Sequence, residues 1–166
     1  MATGRGKVIQ VMVKRTSSQR ELVQAFSIRI RVFVKEQHVP AEIELDRDDQ
    51  QASHLLASVS GTPVGTARVV AREGRIKIGR MAVLKSYRRR GVGAALLRRA
   101  VATAKRLGAR QIYLNAQVAV IGFYERCGFQ AVGPVFNEAG IPHRKMILAP
   151  QYRHQGPKAR KGKKLS

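Results

Sequence analysis

The short, mostly apolar and β-branched run VIQVMV (8–13) predicts a first strand. A helical period follows. Leu22, Phe26, Ile30 and Phe33 recur at helical spacing within QRELVQAFSIRIRVFVKEQ, Ser18 stands where an N-cap belongs, and Glu21 follows at capping-box distance. The Val-Pro pair at 39–40 ends that helix, because a residue before proline is pushed out of the α region. Three strand-like runs come next: SHLLASVS (53–60), PVGTARVVA (63–71) and IKIGRMAVL (76–84). Short turns separate them, so an antiparallel meander is predicted. From Val92, the residues Leu96, Ala100, Ala104 and Leu107 share one helical face, Arg98, Arg99, Lys105 and Arg106 lie mostly off it, and Gly108 stops the helix. QIYLNA (111–116) reads as a short buried strand, and a parallel crossover from 76–84 is its natural closure. VAVIGFYERC (118–127) is a short helix ended by Gly128, and FQAVGPVF (129–136) and HRKMILA (143–149) are two last strands. The order β-α-β-β-β-α-β-α-β-β makes a mixed sheet with helices on its faces, an α/β or α+β domain.

A length of 166 residues suits one domain with a real core, and 44% hydrophobic residues exclude a disordered chain. No apolar run approaches the ~20 residues that span a bilayer. The first residues lack an apolar block with a small-residue cleavage site, so no signal peptide and no membrane contact are expected. The single cysteine, Cys127, excludes an internal disulfide and a cysteine metal cluster; it is expected to pack, and a cytoplasmic protein is the default.

Charge changes the picture. Lys and Arg number 32 against 10 acids, a formal net charge of +22. The stretch RHQGPKARKGKKLS (153–166) holds six of the basic groups and no acid. Residues 151–166 are therefore expected to form a disordered basic tail behind a folded domain at 1–150. The body stays strongly basic without the tail. Such a field attracts phosphates, nucleic acid or acidic protein faces, and does not choose among them. Against that background, AEIELDRDDQQ holds five of the ten acids: Glu42, Glu44, Asp46, Asp48 and Asp49.

The stretch SYRRRGVGAALL crowds arginines where a strand turns into a helix. Amides at a helix N-terminus are unpaired and carry partial positive charge, and glycines let a ligand approach them. Together they make a phosphate cradle. A nucleotide P-loop needs GxxxxGK[ST], which is missing here. A dinucleotide fingerprint needs GxGxxG with an acid about 20 residues on, and the first downstream acid is Glu125.

MAVLKSYRRRGVGAALL resembles motif A of the GNAT superfamily of N-acyltransferases, with Arg88, Gly91 and Gly93 in its defining positions. NAQVAVIGFYERCGF resembles that superfamily's motif B through Phe123, Tyr124, Gly128 and Phe129. RVFVKEQHVPAEIELDRDDQQASHLLA and FNEAGIPHRKM look like its ElaA/YjcF-like branch. The resemblance covers residues 8–149. It implies a mostly antiparallel sheet of six to seven strands flanked by about four helices, splayed between strands 76–84 and 111–116. It implies acetyl-CoA as acyl donor, no metal, an amine acceptor that is a small molecule or a protein, and a monomer or homodimer.

On this resemblance the pyrophosphate sits on the amides of Arg88, Arg89, Arg90, Gly91, Val92, Gly93 and Ala94. The pantetheine arm pairs with the backbone of Met81, Ala82 and Val83, and an N–H there polarises the thioester carbonyl. Phe123 and Tyr124 border the arm. Asn115 either hydrogen-bonds the arm or caps a turn. Tyr124 is either the general acid for the leaving thiolate or a core tyrosine. Base candidates are Glu44, Asp46, Asp49, His54 and His143; each histidine is otherwise a packed or capping residue. The acids of 42–49 either draw in a cationic amine or form a solvated loop. Two other classes stay open: a basic protein that binds nucleic acid or a ribosome, and a non-catalytic acyl-CoA-binding fold. Aromatics at 5% limit base stacking in the first.

Overall fold

The computed structural model describes residues 9–150. The expected basic tail at 151–166 and Val8 of the expected strand 8–13 lie outside the described residues, and Ile9 and Gln10 are described but precede the strand.

Strand β1 (Val11–Arg15) begins where it meets partners on β2 (Ser53–Val59), with Val11 opposite Val59 and Arg15 opposite Leu55. Helix α1 (Gln19–Arg29) starts at Ser18, whose side chain accepts from the Glu21 N–H. The Glu21 carboxylate reaches back to the Ser17 N–H at 2.8 Å, one residue earlier than a standard capping box. The predicted single long helix changes type at residue 30. Ile30–Glu36 is a π-helix, with the Gln37 N–H bonded five residues back to the Val32 carbonyl. Apolar spacing does not separate the two helix types over so short a run. A four-residue helix α2 (Ala41–Glu44) and a 3₁₀ turn (Arg47–Gln50) carry the acidic stretch.

Strands β2, β3 (Thr62–Arg72) and β4 (Arg75–Val83) form the predicted meander. Helix α3 (Val92–Arg106) leads to β5 (Gln111–Gln117), which runs parallel to β4. Helix α4 (Ile121–Arg126), β6 (Phe129–Glu138) and β7 (Ile141–Leu148) complete the chain. The last two strands are longer than expected because Ala139 and Gly140, both at positive φ, close a two-residue hairpin. The seven-stranded sheet has the order β1-β2-β3-β4-β5-β7-β6.

Helix α3 covers one face. Val92, Leu96, Leu97, Ala100 and Ala104 are buried against Leu55, Val64, Val69, Ile78 and Leu114. Each fully buried Leu or Ile contributes about 1.5–3 kcal/mol. A Cβ on Gly65 would stand 2.9 Å from Leu96 Cδ1 and 3.2 Å from the Ala82 carbonyl, so the glycine lets α3 lie close on β3. Helix α1 covers the other face over β2 to β4, with its Ala25 and Ile28, and Val32 of the π-helix, packed on Leu56, Ala82 and Leu84. Double coverage explains why β2 and β3 read as nearly continuous apolar runs.

Candidate active site

Strands β4 and β5 pair only from Arg75 opposite Gln111 to Lys77 opposite Tyr113. Beyond Lys77 they part. A bulge helps to turn β4 away: Thr66 lies opposite Ala82 and Arg68 opposite Gly79, so Arg80 and Met81 share one partner position. Arg80 takes a left-handed φ of 48° there. Met81, Ala82 and Val83 form one lip of the wedge, and Asn115 to Gln117 form the other, held from behind by Lys145 to His143 of β7.

The turn at the mouth runs from Leu84 through a 3₁₀ turn (Lys85–Tyr87) into α3. Gly91 is the N-cap at φ 85°, and no side chain caps the helix. The Ala95 N–H is the first to bond back, to the Gly91 carbonyl at 3.1 Å. The amides of Val92, Gly93 and Ala94 are thus left for an anion, at the positive end of a 15-residue helix. The three arginines have separate fates. Arg88 turns back: Nε donates to the Val83 carbonyl at 2.8 Å, and Nη2 meets both Glu36 oxygens at 3.0 and 2.9 Å. Arg90 lies over the Tyr87 ring at 6.0 Å and borders an open groove with Arg98. Arg89 is exposed at φ 61°.

Helix α4 sits against the first turn of α3. A Cβ on Gly93 would lie 3.5 Å from Phe123 Cζ. Tyr124 packs edge-on between Phe123 at 5.0 Å and Phe129 at 6.2 Å. Burial pushes its phenol well above the usual range, so it stays protonated at neutral pH. Cys127, expected to pack, is exposed instead, because α4 ends at Arg126 and the chain turns outward before Gly128.

Four of the five acids of the stretch are held by arginines, and Glu42 alone of them is exposed. Glu44, 3% exposed, accepts from Arg29 Nε at 2.9 Å and lies 3.3 Å from Arg80 Nε. Asp46 meets Arg68 at 2.5 Å and Arg80 at 3.2 Å. Asp49 meets Arg29 at 2.7 Å and Arg68 at 2.9 Å. Asp48 pairs with Arg72. Burial pushes the Glu44 carboxyl up, over the opposing pull of Arg80 and Arg29. The Arg68 hydrogen bond holds Asp46 low. Burial pushes Asp49 up, but Arg29 and Arg68 outweigh it and hold the carboxyl down to about 2.

The histidines differ. His54 is buried edge-on to Phe26, its Nε2 lies 2.9 Å from the Asp49 carbonyl, and its Nδ1 is enclosed without a partner. His143 lies opposite Gln117, beside the parted end of β5. Its Nδ1 is 2.7 Å from the Ile141 carbonyl, which requires the proton on Nδ1, and its Nε2 is 3.5 Å from Glu138.

Residues missed by the sequence reading bind the site together. Glu36 and Gln37, at the end of the π-helix, reach both lips: Glu36 holds Arg88, and Gln37 accepts from Gln117 Nε2 at 2.9 Å. Arg29, Arg68 and Arg80 neutralise the acids. Arg68 and Arg72 stand four apart on one strand and so share a face, which is a readable signal; Arg80 behind its bulge is not. Among the described residues no group of His, Cys, Asp and Glu is placed to hold a metal, and no helix is long and apolar enough to cross a membrane.

Uncapped amides beside a parted pair of strands make an arrangement suited to an anionic group and an extended arm. Residues 13–150 match the family model described as Acetyltransferase (GNAT) domain. The "Uncharacterized N-acetyltransferase YjcF" of Bacillus subtilis (strain 168) is 37% identical over 131 residues, 78% of this chain and 94% of that protein. The crystal structure of an acyl-CoA N-acyltransferase from Pseudomonas aeruginosa is 33% identical with a TM-score of 0.73, over 85% of this chain and 99% of that one. That of Escherichia coli ElaA is 28% identical with a TM-score of 0.74, over the same shares, 85% and 99%. The chain belongs to the GNAT acetyltransferase family, as its two motifs imply.

Proposed function

We propose that the protein moves an acetyl group from acetyl-CoA to a primary amine by direct attack. The observation that carries this reading is the uncapped start of α3 beside the β4–β5 wedge. The amides of Val92 to Ala94 would hold the pyrophosphate, and the backbone of Met81 to Val83 would pair with the arm. The Val83 carbonyl already accepts from Arg88, so Met81 is the freer partner. Acetyl-CoA supplies an activated thioester whose C–S bond breaks as the new C–N bond forms. A Met81 N–H would stabilise charge growing on the carbonyl oxygen. Tyr124 would donate its proton to the leaving thiolate. His143 Nε2 would take a proton from the amine, and Glu138, 3.5 Å from that same nitrogen, would stabilise the imidazolium. Glu44, Asp46 and Asp49 are committed to arginines and His54 is enclosed, so His143 is the base favoured here. Phe123 and Asn115 would flank the arm.

Melting temperature with and without acetyl-CoA tests the binding step. A ligand at 100 times its Kd stabilises by about 2.7 kcal/mol, a readable shift. A salt-tolerant shift specific to acetyl-CoA supports the reading; a shift matched by any polyanion moves the weight to nucleic-acid binding. Tyr124→Phe is expected to lower kcat about 10²-fold or more while acetyl-CoA affinity holds. Unchanged turnover removes Tyr124 as the acid.

A further inference from the structure

The acceptor side of the wedge lies on the face that α3 and α4 leave free. Along β5, Ile112, Leu114 and Ala116 point into the core under α3, and Tyr113, Asn115 and Gln117 point the other way. Pairing places Lys77 of β4 beside Tyr113, and Lys145 of β7 beside Asn115, on that same open face. Lys145 Nζ stands 5.0 Å over the Tyr113 ring, and Arg75 lies 5.8 Å from it.

Among the described residues, neither lysine forms an ion pair. Glu138 is the carboxylate that acts on Lys77, and Arg68, Arg80 and Arg72 oppose it. Glu138 is itself beside His143. Lys77 is half-buried, and burial lowers its ammonium's pKa despite the opposing pull of Glu138. The acids at 44–49 cannot supply one, because arginines hold them.

Resting on the acetyltransferase reading above, we propose that the acceptor amine carries an anionic group, a carboxylate or a phosphate, which Lys77 and Lys145 bind on either side of Tyr113. This excludes polyamines and lysine-rich protein tails as the preferred acceptors. The same cations serve the chemistry. A positive surrounding disfavours the ammonium form of the incoming amine, so the neutral nucleophile is easier to reach.

The test measures acceptor binding to the full chain saturated with CoA, at about 0.15 M salt to screen the general surface field. The probes are matched pairs: γ-aminobutyrate against its amide, and O-phosphoethanolamine against ethanolamine, with putrescine as the cationic case. At least one anionic amine is expected to bind about tenfold tighter than its neutral partner, the size of a charge-assisted contact. The carboxylate and phosphate pairs tell the two sources apart. With acetyl-CoA in place of CoA, the same amine is expected to give the highest kcat/KM. Lys77→Met and Lys145→Met keep the apolar stems and are expected to reduce the preference to about twofold or less. Lys77→Arg keeps it. Lys105→Met with Arg106→Met, on the exposed end of α3, removes two charges elsewhere and leaves it intact. Equal binding of the matched pairs, no binding by either anionic amine, tighter binding of putrescine, or equal loss in the α3 control overturns the proposal. Failure of CoA itself to bind is a separate result and sinks the acetyltransferase reading instead.

Discussion

The two faces of the wedge are built on opposite principles. On the α3 face the side chains are apolar, and the polar groups offered to a ligand are backbone amides at one helix start. On the opposite face the backbone is held in strands and the chemistry lies in side chains: four arginines, four acids, two lysines and a histidine. The first arrangement suits a donor that is the same in every turnover, since amides fixed by a helix need no sequence beyond the small residues that expose them. On the proposed reading the second suits the choice of acceptor, since single substitutions reset its charge. A buried ion network fixes geometry at the expense of desolvation, and it fails badly when one member is lost.

The largest expected effect therefore lies in the network. Arg29 is 1% exposed and holds both Glu44 and Asp49. Arg29→Met leaves both carboxylates buried without that partner, and a loss of about 3–5 kcal/mol in urea unfolding is expected. Adding Glu44→Gln is expected to recover part of it. A loss under about 1 kcal/mol would show that the network is not coupled to folding. Acid titration reads the same feature. The Asp49 carboxyl is held at about 2 against an ordinary 3.8, so its contribution is complete above the ordinary value and is lost as pH falls from near 4 toward 2. Asp49→Asn is expected to flatten melting temperature against pH within that window.

The next effect belongs to the donor face. Gly91 caps α3 at φ 85° with open space beyond its Cα, so a side chain there meets strain but no clash. Gly91→Glu is expected to lose about 1–2 kcal/mol of stability from the left-handed backbone. It places a carboxylate in the cradle, so acetyl-CoA binding is expected to vanish in calorimetry while the protein stays folded. Normal affinity in a folded variant refutes the cradle's position.

Legibility in the sequence followed the same division. The cradle is contiguous: strand, turn and helix start lie within residues 76–106, and their periods and glycines can be read in place. The meander and the parallel closure of β5 on β4 were equally readable, because neighbouring runs usually pair. The opposite face is assembled from distant residues. Arg29 meets Glu44 across 15 positions and Arg80 reaches the Glu44 carbonyl across 36, so the acids at 42–49 gave no sign of their partners. The π-helix was hidden because its apolar positions also fit an α-helix. His143 and His54 looked alike in sequence as strand-end histidines, and only pairing put one of them beside the wedge.

The smallest expected effect separates backbone from side chain within the cradle itself. Arg88 occupies the first defining position of the motif, yet its guanidinium is joined to Glu36 and the Val83 carbonyl. If the amides hold the donor, Arg88→Gln is expected to leave acetyl-CoA affinity within about threefold and to reduce stability by about 0.2–1 kcal/mol, as befits a partly exposed ion pair. Glu36→Gln is expected to give a loss no larger than this, and the double variant no more than Arg88→Gln alone, because both remove the same ion pair. A large fall in affinity for Arg88→Gln with no matching fall for Glu36→Gln would instead place the guanidinium on the donor. The donor face would then rely on a side chain, as the opposite face does.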